Sequence, residues 1–90
     1  NMADKNTFSL FFREKAVALL LALHQTKTAS YASTLAKKIH CPSSHIRTLL
    51  QEMEKAGILV FEKHGRLKLV VLTKKGKEIA EEIERLQQRI

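Results

Sequence analysis

The sequence predicts an α+β fold that is mostly helical, with a three-helix core, a β-hairpin and a C-terminal helix. Three observations carry this prediction. Two short amphipathic segments joined by a tight turn fill residues 33–56, apolar and polar residues alternate over residues 59–71, and apolar residues then recur every three or four positions over residues 79–90. These periods are typical of paired helices, of a half-buried hairpin and of an amphipathic helix.

The size of the chain favours one domain. Its 90 residues, 44% of them hydrophobic, suffice for one modest core. We expect a single domain over residues 1–90, in which residues 26–73 hold the paired helices and the hairpin and residues 8–24 and 74–90 form flanking helices. No apolar run reaches the roughly 18 residues of a membrane span. The N-terminus also lacks the basic flank and cleavage site of a signal peptide, so the sequence predicts a cytoplasmic protein with no membrane partner.

The charge of the chain points to a polyanionic partner. Sixteen Lys and Arg against nine Asp and Glu give a net charge of +7. Residues 27–77 alone contain eleven Lys and Arg against three Glu, a surplus of +8, so the excess lies in the paired helices and the hairpin rather than at the ends. A concentrated positive charge favours association with nucleic acid.

The first predicted helix, at residues 8–23, is apolar nearly all the way round. Such a helix needs cover on two sides, and the paired helices can supply only one. The sequence leaves two explanations open for the second side. Either a partner subunit covers it, or the aromatic residues among positions 8–12 fold back onto their own core.

The second and third helices form a helix-turn-helix. Ser30 is a candidate N-cap for a helix from about Tyr31 to His40, and Pro42 suits the first turn of the next helix, which runs to about residue 56. Gly57 can adopt the left-handed conformation that ends that helix. The buried stripes are predicted at Leu35, Ala36 and Ile39 in one helix and at Ile46, Leu49, Leu50 and Met53 in the other.

A hairpin and a last helix follow. The inward positions of the hairpin are predicted at Leu59, Phe61, Leu67, Leu69 and Val71, with the turn at His64 and Gly65. Thr73 is a candidate N-cap for the last helix. The apolar positions of that helix, spaced four, three and four residues apart as in a coiled coil, are Ile79, Ile83, Leu86 and Ile90.

Four ordered segments resemble the winged helix-turn-helix transcriptional regulators, and most nearly the MarR group. LAKKI at residues 35–39 is similar to the first helix of the motif, and SSHIRTLL at residues 43–50 to its recognition helix. EKAGILV at residues 54–60 and LTKKG at residues 72–76 resemble the segments that lead into the wing and into the last helix. The chain departs from the family at His40, where a glycine is common, and in a short wing without the usual acidic and arginine tip.

The outward face of the third helix holds the candidate base-reading residues, because the apolar stripe directs the others inward. They are Ser43, Ser44, His45, Arg47, Thr48 and Gln51. Arg47 suits a guanine edge, although it could instead pair with Gln51 or Glu54 on a solvated face. For His45 a DNA contact and an ordinary surface position remain open.

Candidate contacts to the DNA backbone lie on the second helix and the wing. They are Lys37, Lys38, Lys63, His64, Arg66 and Lys68. Lysines on an edge strand also serve simply to prevent aggregation, which is the alternative for the wing. Lys74 and Lys75 are unusual at a helix N-terminus, where the dipole disfavours cations. Either a bound phosphate or a tolerated small penalty accounts for them.

Recognition helices of this kind work in pairs, so we expect a homodimer. The predicted dimer interface comprises Phe11, Phe12, Leu20, Leu21, Ile79, Ile83, Leu86 and Ile90. The alternative is that the last helix packs on the first within one chain. The resemblance to the family further implies that a small aromatic effector could bind at the dimer junction, and the sequence identifies no such ligand.

No catalytic constellation is present in the sequence, so we expect a protein that is not an enzyme and has no cofactor and no metal site. Cys41 with His40 and His45 could bind a metal or sense oxidation, but a lone cysteine at a turn is more often a small buried apolar group.

Two functions follow from these observations. The first is a sequence-specific regulator of transcription that binds double-stranded DNA as a homodimer, with residues 43–56 in the major groove and the wing, residues 59–71, on the flanking backbone or minor groove. The second is a winged-helix module that holds another protein in a transcription or replication assembly. The lysine-rich surface favours the first, because protein-docking surfaces are usually poor in lysine.

Overall fold

The computed structural model describes residues 13–26 and 30–90. These residues form four helices and one three-stranded antiparallel sheet with the strand order β1-β3-β2. The elements are α1 (Glu14–Thr26), β1 (Ser30–Tyr31), α2 (Ala32–Lys38), α3 (Ser43–Lys55), β2 (Leu59–His64), β3 (Leu67–Leu72) and α4 (Lys74–Arg89). The predicted α+β, mostly helical fold is therefore confirmed. None of the helices in the described ranges is long and apolar enough to cross a membrane.

The core lies between α1, the α2–α3 pair and the inner face of the sheet. Its largest fully buried side chains are Leu19, Leu20, Leu35, Ile46, Leu49, Leu50, Met53, Ile58, Leu59 and Val70. The predicted stripe on α3 is confirmed, since each of its four apolar side chains is at most 2% exposed. Burying one such side chain stabilises a fold by roughly 1.5–3 kcal/mol, so this stripe determines which side of α3 faces solvent.

The predicted N-cap of the second helix, Ser30, is wrong. Ser30 and Tyr31 form a short strand that pairs with Val70 and Leu69 of β3, and α2 begins only at Ala32. Tyr31 precedes the helix without a side-chain cap. The sequence pattern missed this strand because the edge of a distant strand, rather than the local sequence, supplies the hydrogen-bonding partners of these two residues.

The helices α2 and α3 both end in the same backbone motif. After α2, the amide of His40 donates to the Lys37 carbonyl at 3.3 Å and that of Cys41 to Ala36 at 3.0 Å. After α3, the amide of Gly57 donates to Glu54 and that of Ile58 to Met53, both at 3.0 Å. These are the paired bonds of a Schellman motif, which requires a left-handed residue just beyond the helix.

The two left-handed residues differ in type. Gly57 has a φ of 78° and confirms the predicted helix stop, while His40 has a φ of 54°. At the position where the resembled family commonly has glycine, this chain has a histidine in the left-handed conformation. The residue after it, Cys41, is buried in the core, as is typical of the apolar position that closes this motif.

The hairpin differs from the prediction in its turn and in its buried face. His64 pairs with Leu67, so the loop is Gly65 and Arg66, and Gly65 takes the positive φ of 64° that suits glycine. The buried residues of β3 are Val70 and Leu72, not Leu67, Leu69 and Val71.

The loop length explains this reversal. A two-residue loop pairs odd-numbered positions of β2 with even-numbered positions of β3, so that Leu59 lies opposite Leu72 and Phe61 opposite Val70. Residues directly opposite each other in an antiparallel pair share one face of the sheet. The inward residues of β2 therefore place the even-numbered residues of β3 inward as well.

The start of α4 is tied to the end of α3 at one junction. Thr73 confirms the predicted N-cap, because its side chain accepts a hydrogen bond from the Gly76 amide at 3.1 Å. The Thr73 hydroxyl lies 2.7 Å from the Gly57 carbonyl and 2.9 Å from that of Ile58, to which it can donate its hydrogen. Gly76 packs so closely here that an added Cβ would lie 2.1 Å from the Ile58 oxygen.

We expect Gly76→Ala to destabilise the protein by about 1–3 kcal/mol, because its methyl group would overlap backbone rather than a side chain that can move aside. A loss of stability would be informative, because alanine is otherwise favoured over glycine in a helix by about 1 kcal/mol. Urea unfolding followed by circular dichroism measures the change. Lys77→Ala, at an exposed position of the same helix, is the control; equal stability of both variants would contradict the close approach.

Candidate nucleic-acid interface

The outward face of α3 is polar and open to solvent. All six candidate base-reading residues, Ser43, Ser44, His45, Arg47, Thr48 and Gln51, are exposed. At about 100° per residue, the positions most directly opposite the buried stripe are Ser44, Thr48, Gln51 and Lys55. Lys55 is not among the residues predicted from the sequence, although its spacing of four residues from Gln51 places it on the same face.

The two flanks of this face differ in their neighbours. Ser43, Arg47 and Glu54 lean toward the hairpin. Glu52 lies on the opposite flank, where its carboxylate pairs with the guanidinium of Arg13, the residue before α1. His45, seven positions earlier, shares that flank. The candidate residues therefore do not form one cluster, because His45 lies away from the wing.

Arg47 is free to bind a partner. Its side chain forms no hydrogen bond or ion pair with Gln51, Glu54 or any other residue in the described ranges. The alternative, in which Arg47 pairs with Gln51 or Glu54 on a solvated face, is therefore not observed. Thr48 differs, because its hydroxyl donates to the Ser44 carbonyl at 3.2 Å. That bond leaves the Thr48 oxygen available chiefly as an acceptor.

A groove of about 870 Å³ separates α3 from the hairpin. Leu50, Phe61 and Val70 give it an apolar floor, and Arg47 and Arg66 stand among the polar residues along it. Lys68 also lines the groove and holds its Nζ atom 5.8 Å from the centroid of the Phe61 ring, within the range of a cation–π contact. The arrangement presents several cations around one cleft.

The wing brings like charges together. Lys63 and Lys68 lie directly opposite each other on the face that carries Phe61. Like charges at directly opposed positions disfavour a hairpin. An anion bound between them and the α3 cations would remove this repulsion.

His64 occupies the other face of the wing. Its Nε2 atom lies 3.7 Å from a carboxylate oxygen of Glu62, two positions earlier on the same strand. Of the four predicted wing residues, Lys63, Arg66 and Lys68 therefore lie on the side of the hairpin that faces α3 or in its loop, whereas His64 points away from the groove.

The remaining lysines have separate positions. Lys37 and Lys38 are exposed in the last turn of α2, one short turn before the start of α3. Lys75 donates from Nζ to the Ala56 carbonyl at 2.9 Å and so caps the C-terminal end of α3. This bond explains why a cation occupies the N-terminus of α4 without requiring a bound phosphate. The sequence indicated only that a lysine is unusual at this position.

The predicted dimer residues divide into four groups. Phe11 and Phe12 lie outside the described residues. Leu20 and Leu21 are 0% and 8% exposed within the single chain, so they belong to its own interior and leave almost no area for a partner to cover. Ile79 and Ile83 are half-buried against the core. Only Leu86 and Ile90 among the described members stand exposed, at 58% and 97%.

The last helix, α4, packs on the first, α1, within one chain. This is the alternative that the sequence left open for these residues. His24 of α1 and Glu84 of α4 meet between the two helices, with Nδ1 3.1 Å from a carboxylate oxygen. The distance is that of an ion pair, but the alignment is not that of a directed hydrogen bond. Intramolecular packing thus uses the inner part of the α4 seam and leaves its C-terminal end uncovered.

The residues considered for metal binding or redox chemistry do not form a cluster. Cys41 is buried, whereas His40 and His45 are exposed. Across residues 13–26 and 30–90, no three His, Cys, Asp or Glu side chains lie close enough together to hold a metal ion.

Sequence comparison relates the chain to an archaeal protein. No family model matches the sequence. An uncharacterized protein of Archaeoglobus fulgidus is 30% identical over 83 residues, which cover 89% of this chain and 87% of that protein. The chain belongs to the same family as that protein. A crystal structure from the same organism, of AF1382, is 28% identical and superposes with a TM-score of 0.82 over 91% of this chain and 93% of that one.

Structure comparison identifies the fold as a winged helix. MepR, a transcription regulator of the Staphylococcus aureus multidrug efflux pump MepA, has a TM-score of 0.83 at 17% identity, covering 98% of this chain and 67% of its own. A homodimeric winged helix-turn-helix DNA-binding domain of Mycobacterium bovis, described as a possible ArsR-family regulator, has a TM-score of 0.81 at 9% identity, covering 96% and 79%. At these identities the likeness is one of fold.

Proposed function

We propose that this protein is a winged-helix regulator of transcription that binds double-stranded DNA. The helix α3 would enter the major groove, and the β2–β3 hairpin would contact the flanking backbone or minor groove. The single observation that carries the proposal is the exposed polar face of α3 beside a groove whose cations, Arg47, Arg66 and Lys68, form no ion pair among the described residues.

Base recognition is assigned to α3. Arg47 would fork onto the O6 and N7 atoms of a guanine, and Gln51 would bind an adenine edge with its amide. Ser43, Ser44 and Thr48 offer shorter donors and acceptors, and Lys55 extends the same face. His45 belongs to the flank near α1, so its contact would fall on the side of the major groove away from the wing.

Backbone contacts are assigned to Lys37, Lys38, Lys63, Arg66 and Lys68. The repulsion between Lys63 and Lys68 supports this assignment, because a phosphate held near both turns an unfavourable pair into a binding site. His64 is the weakest of the predicted wing contacts, since it lies beside Glu62 on the far face.

The wider proposal follows the fold. Residues 1–90 would form one cytoplasmic DNA-binding domain with no catalytic activity. The sequence resemblance favours the MarR group, while one structural neighbour is described as a possible ArsR-family regulator. Both groups are winged-helix regulators, so the proposal of DNA binding does not depend on which subgroup is correct.

We also propose a homodimer joined through α4. Leu86 and Ile90 expose apolar surface at the end of this helix, and Ile79 and Ile83 continue the same seam. The Mycobacterium bovis domain of the same fold is homodimeric. Two copies would place two recognition helices on a near-palindromic site.

A second candidate function has one observation in its favour. On the outer face of the sheet, Tyr31, Val60 and Leu67 are 38%, 44% and 53% exposed. Exposed apolar side chains on one surface are typical of protein docking, so a winged-helix interaction module would use this face. The unneutralised cations beside α3 favour DNA as the partner.

Selection from random duplexes at two salt concentrations tests the main proposal. We expect the full chain to enrich a near-palindromic site. Neutralising about six to eight phosphates predicts a fall in affinity of about 10³- to 10⁴-fold between 50 and 200 mM salt. Binding that is insensitive to salt, or an absence of binding at low salt, would contradict the proposal and favour the protein-docking alternative.

Two alanine variants separate base contacts from backbone contacts. Arg47→Ala should lower affinity for the selected site by about fivefold to a hundredfold and relax the preference at one base pair, whereas Lys68→Ala should weaken all duplexes similarly and reduce the salt slope by about 1. Fluorescence anisotropy on specific and scrambled duplexes distinguishes these effects. Lys77→Ala, an exposed cation on α4, is the control. Unchanged DNA binding in both variants would count against the assignments.

Sedimentation equilibrium tests the dimer. We expect the chain to be dimeric at micromolar concentration and Leu86→Glu to shift it toward the monomer, because two charges would be buried at the seam. Leu67→Glu, an exposed leucine on the wing, is the matched control and should leave the dimer intact. A monomer well above micromolar concentration would rule out this interface.

A further inference from the structure

We infer that two copies of this chain associate through α4 in an antiparallel arrangement, in which Glu82 of each copy forms an ion pair with Arg89 of the other. The inference rests on the homodimer proposed above and adds to it the direction, the register and the charged residues of the interface. Three properties of α4 support it: the burial along its apolar seam, the spacing of that seam and the charges at its edge.

The chain's own core covers only part of the apolar seam of α4. The helix turns the buried Gly76 and Ala80 toward the core. At about 100° per residue, the seam residues lie beside this buried row in a stripe about 60° wide; they are Ile79, Ile83, Leu86 and Ile90. The first two are half-buried against the core, whereas the last two are 58% and 97% exposed. The seam therefore passes from a half-covered part to an uncovered end.

The uncovered end belongs to a part of α4 that projects from the core. Every residue from 85 to 90 is exposed, although the helix continues to Arg89. Helices of this length owe most of their stability to the packing of an apolar face. The described residues leave the apolar side chains of this projecting turn largely uncovered, so the end of α4 is suited to contact with a second copy.

The burial pattern favours two helices that run in opposite directions. The seam spacing of four, three and four residues is the same when read from either end. If Ile83 of one copy faces Leu86 of the other, Ile79 therefore faces Ile90. Each exposed side chain then packs on a half-buried one that is anchored on the other copy's core.

A parallel pair would use less of the seam. It would place Leu86 and Ile90 against their own copies at the projecting end, beyond both cores. Two apolar layers there cover far less than the roughly 800 Å² per partner that a stable interface needs. The antiparallel pair instead uses all four layers and brings both cores into the contact.

The charges at the edge of the seam match the antiparallel register. Glu82 and Arg89 are exposed and lie next to the seam on the side away from the core. Neither forms an ion pair with a described residue. In the antiparallel register each Glu82 lies close to the level of Arg89 in the other copy, and symmetry makes this pair twice. Charges beside an apolar seam set the orientation of paired helices.

Charge reversal tests these ion pairs. Glu82→Arg and Arg89→Glu should each weaken self-association by about twofold to thirtyfold, because two attractive pairs become repulsive. An equimolar mixture of the two variants should form heterodimers in preference to either homodimer, since every pair then has opposite signs. The double variant should recover the association of wild type. Sedimentation equilibrium at low salt measures all four samples.

The matched controls are Glu81→Arg and Arg85→Glu, which make the same changes of net charge at exposed positions on the far side of α4. They should neither weaken association nor favour the mixed dimer. Circular dichroism verifies that each variant is folded. If the control mixture prefers heterodimers equally, or if the Glu82 and Arg89 mixture shows no preference, the ion pairs are wrong.

Cysteine cross-linking tests the direction. Ile79→Cys and Ile90→Cys should form a mixed disulfide when oxidised together, whereas Ile90→Cys alone should not cross-link. Its two copies would lie about 16 Å apart along the axis, and a disulfide needs Cα atoms within about 7 Å. The wild-type chain is the control, because its Cys41 is buried. A covalent dimer of Ile90→Cys alone would indicate a parallel pair and overturn the inference while the homodimer stands. A wild-type chain that is monomeric well above micromolar concentration would rule out both, and DNA binding measured on the same sample reports separately on the proposed function.

Discussion

The burial of one apolar stripe of α3 is the constraint on which the rest of the interface depends. Ile46, Leu49, Leu50 and Met53 are almost fully removed from solvent, and their spacing leaves no second way to place the helix on this core. Rotating α3 about its axis by one residue position would expose a buried leucine or bury a charged side chain. Either change would lower the free energy of unfolding substantially. The polar face is therefore held in a fixed orientation relative to the wing.

The C-terminal ends of α2 and α3 are both closed by backbone hydrogen bonds. The left-handed residues His40 and Gly57 close their helices with the same pair of amide-to-carbonyl bonds. At the second of these ends, Thr73, Lys75 and Gly76 join α4 to the loop that leaves α3. A helix proposed to dimerise is thus in direct contact with the end of the helix proposed to read DNA.

The free protein keeps charge arrangements that are unfavourable in isolation. Two lysines oppose each other on the wing, and the groove beside them contains two arginines that form no ion pair with a described residue. A surface selected only for stability would intersperse opposite charges. A polyanion bound as proposed would offset this cost, which is why we assign the arrangement to the proposed interface rather than to the fold.

Local patterns were sufficient for the elements whose partners are close in sequence. The stripe of α3, the stop at Gly57 and the N-cap at Thr73 all depend on residues within one or two turns of each other, and the sequence predicted them correctly. The same patterns placed the candidate base-reading residues on the surface, because a buried stripe implies an exposed one. The cationic surplus was likewise evident from composition alone.

The features that the sequence did not reveal all depend on distant partners. Ser30 and Tyr31 form a strand because β3 offers them an edge, and the buried face of β3 was decided by a two-residue loop that links its register to β2. The position of Lys75 at a helix N-terminus is explained by its hydrogen bond to the Ala56 carbonyl, which belongs to a distant segment of the chain. The sequence by itself therefore determined the helices, the hairpin and the charge of this protein, since those follow from local periodicity and composition. Only the tertiary structure decided which residues face each other across the groove, because backbone pairing and close packing are made between segments that are far apart in the chain.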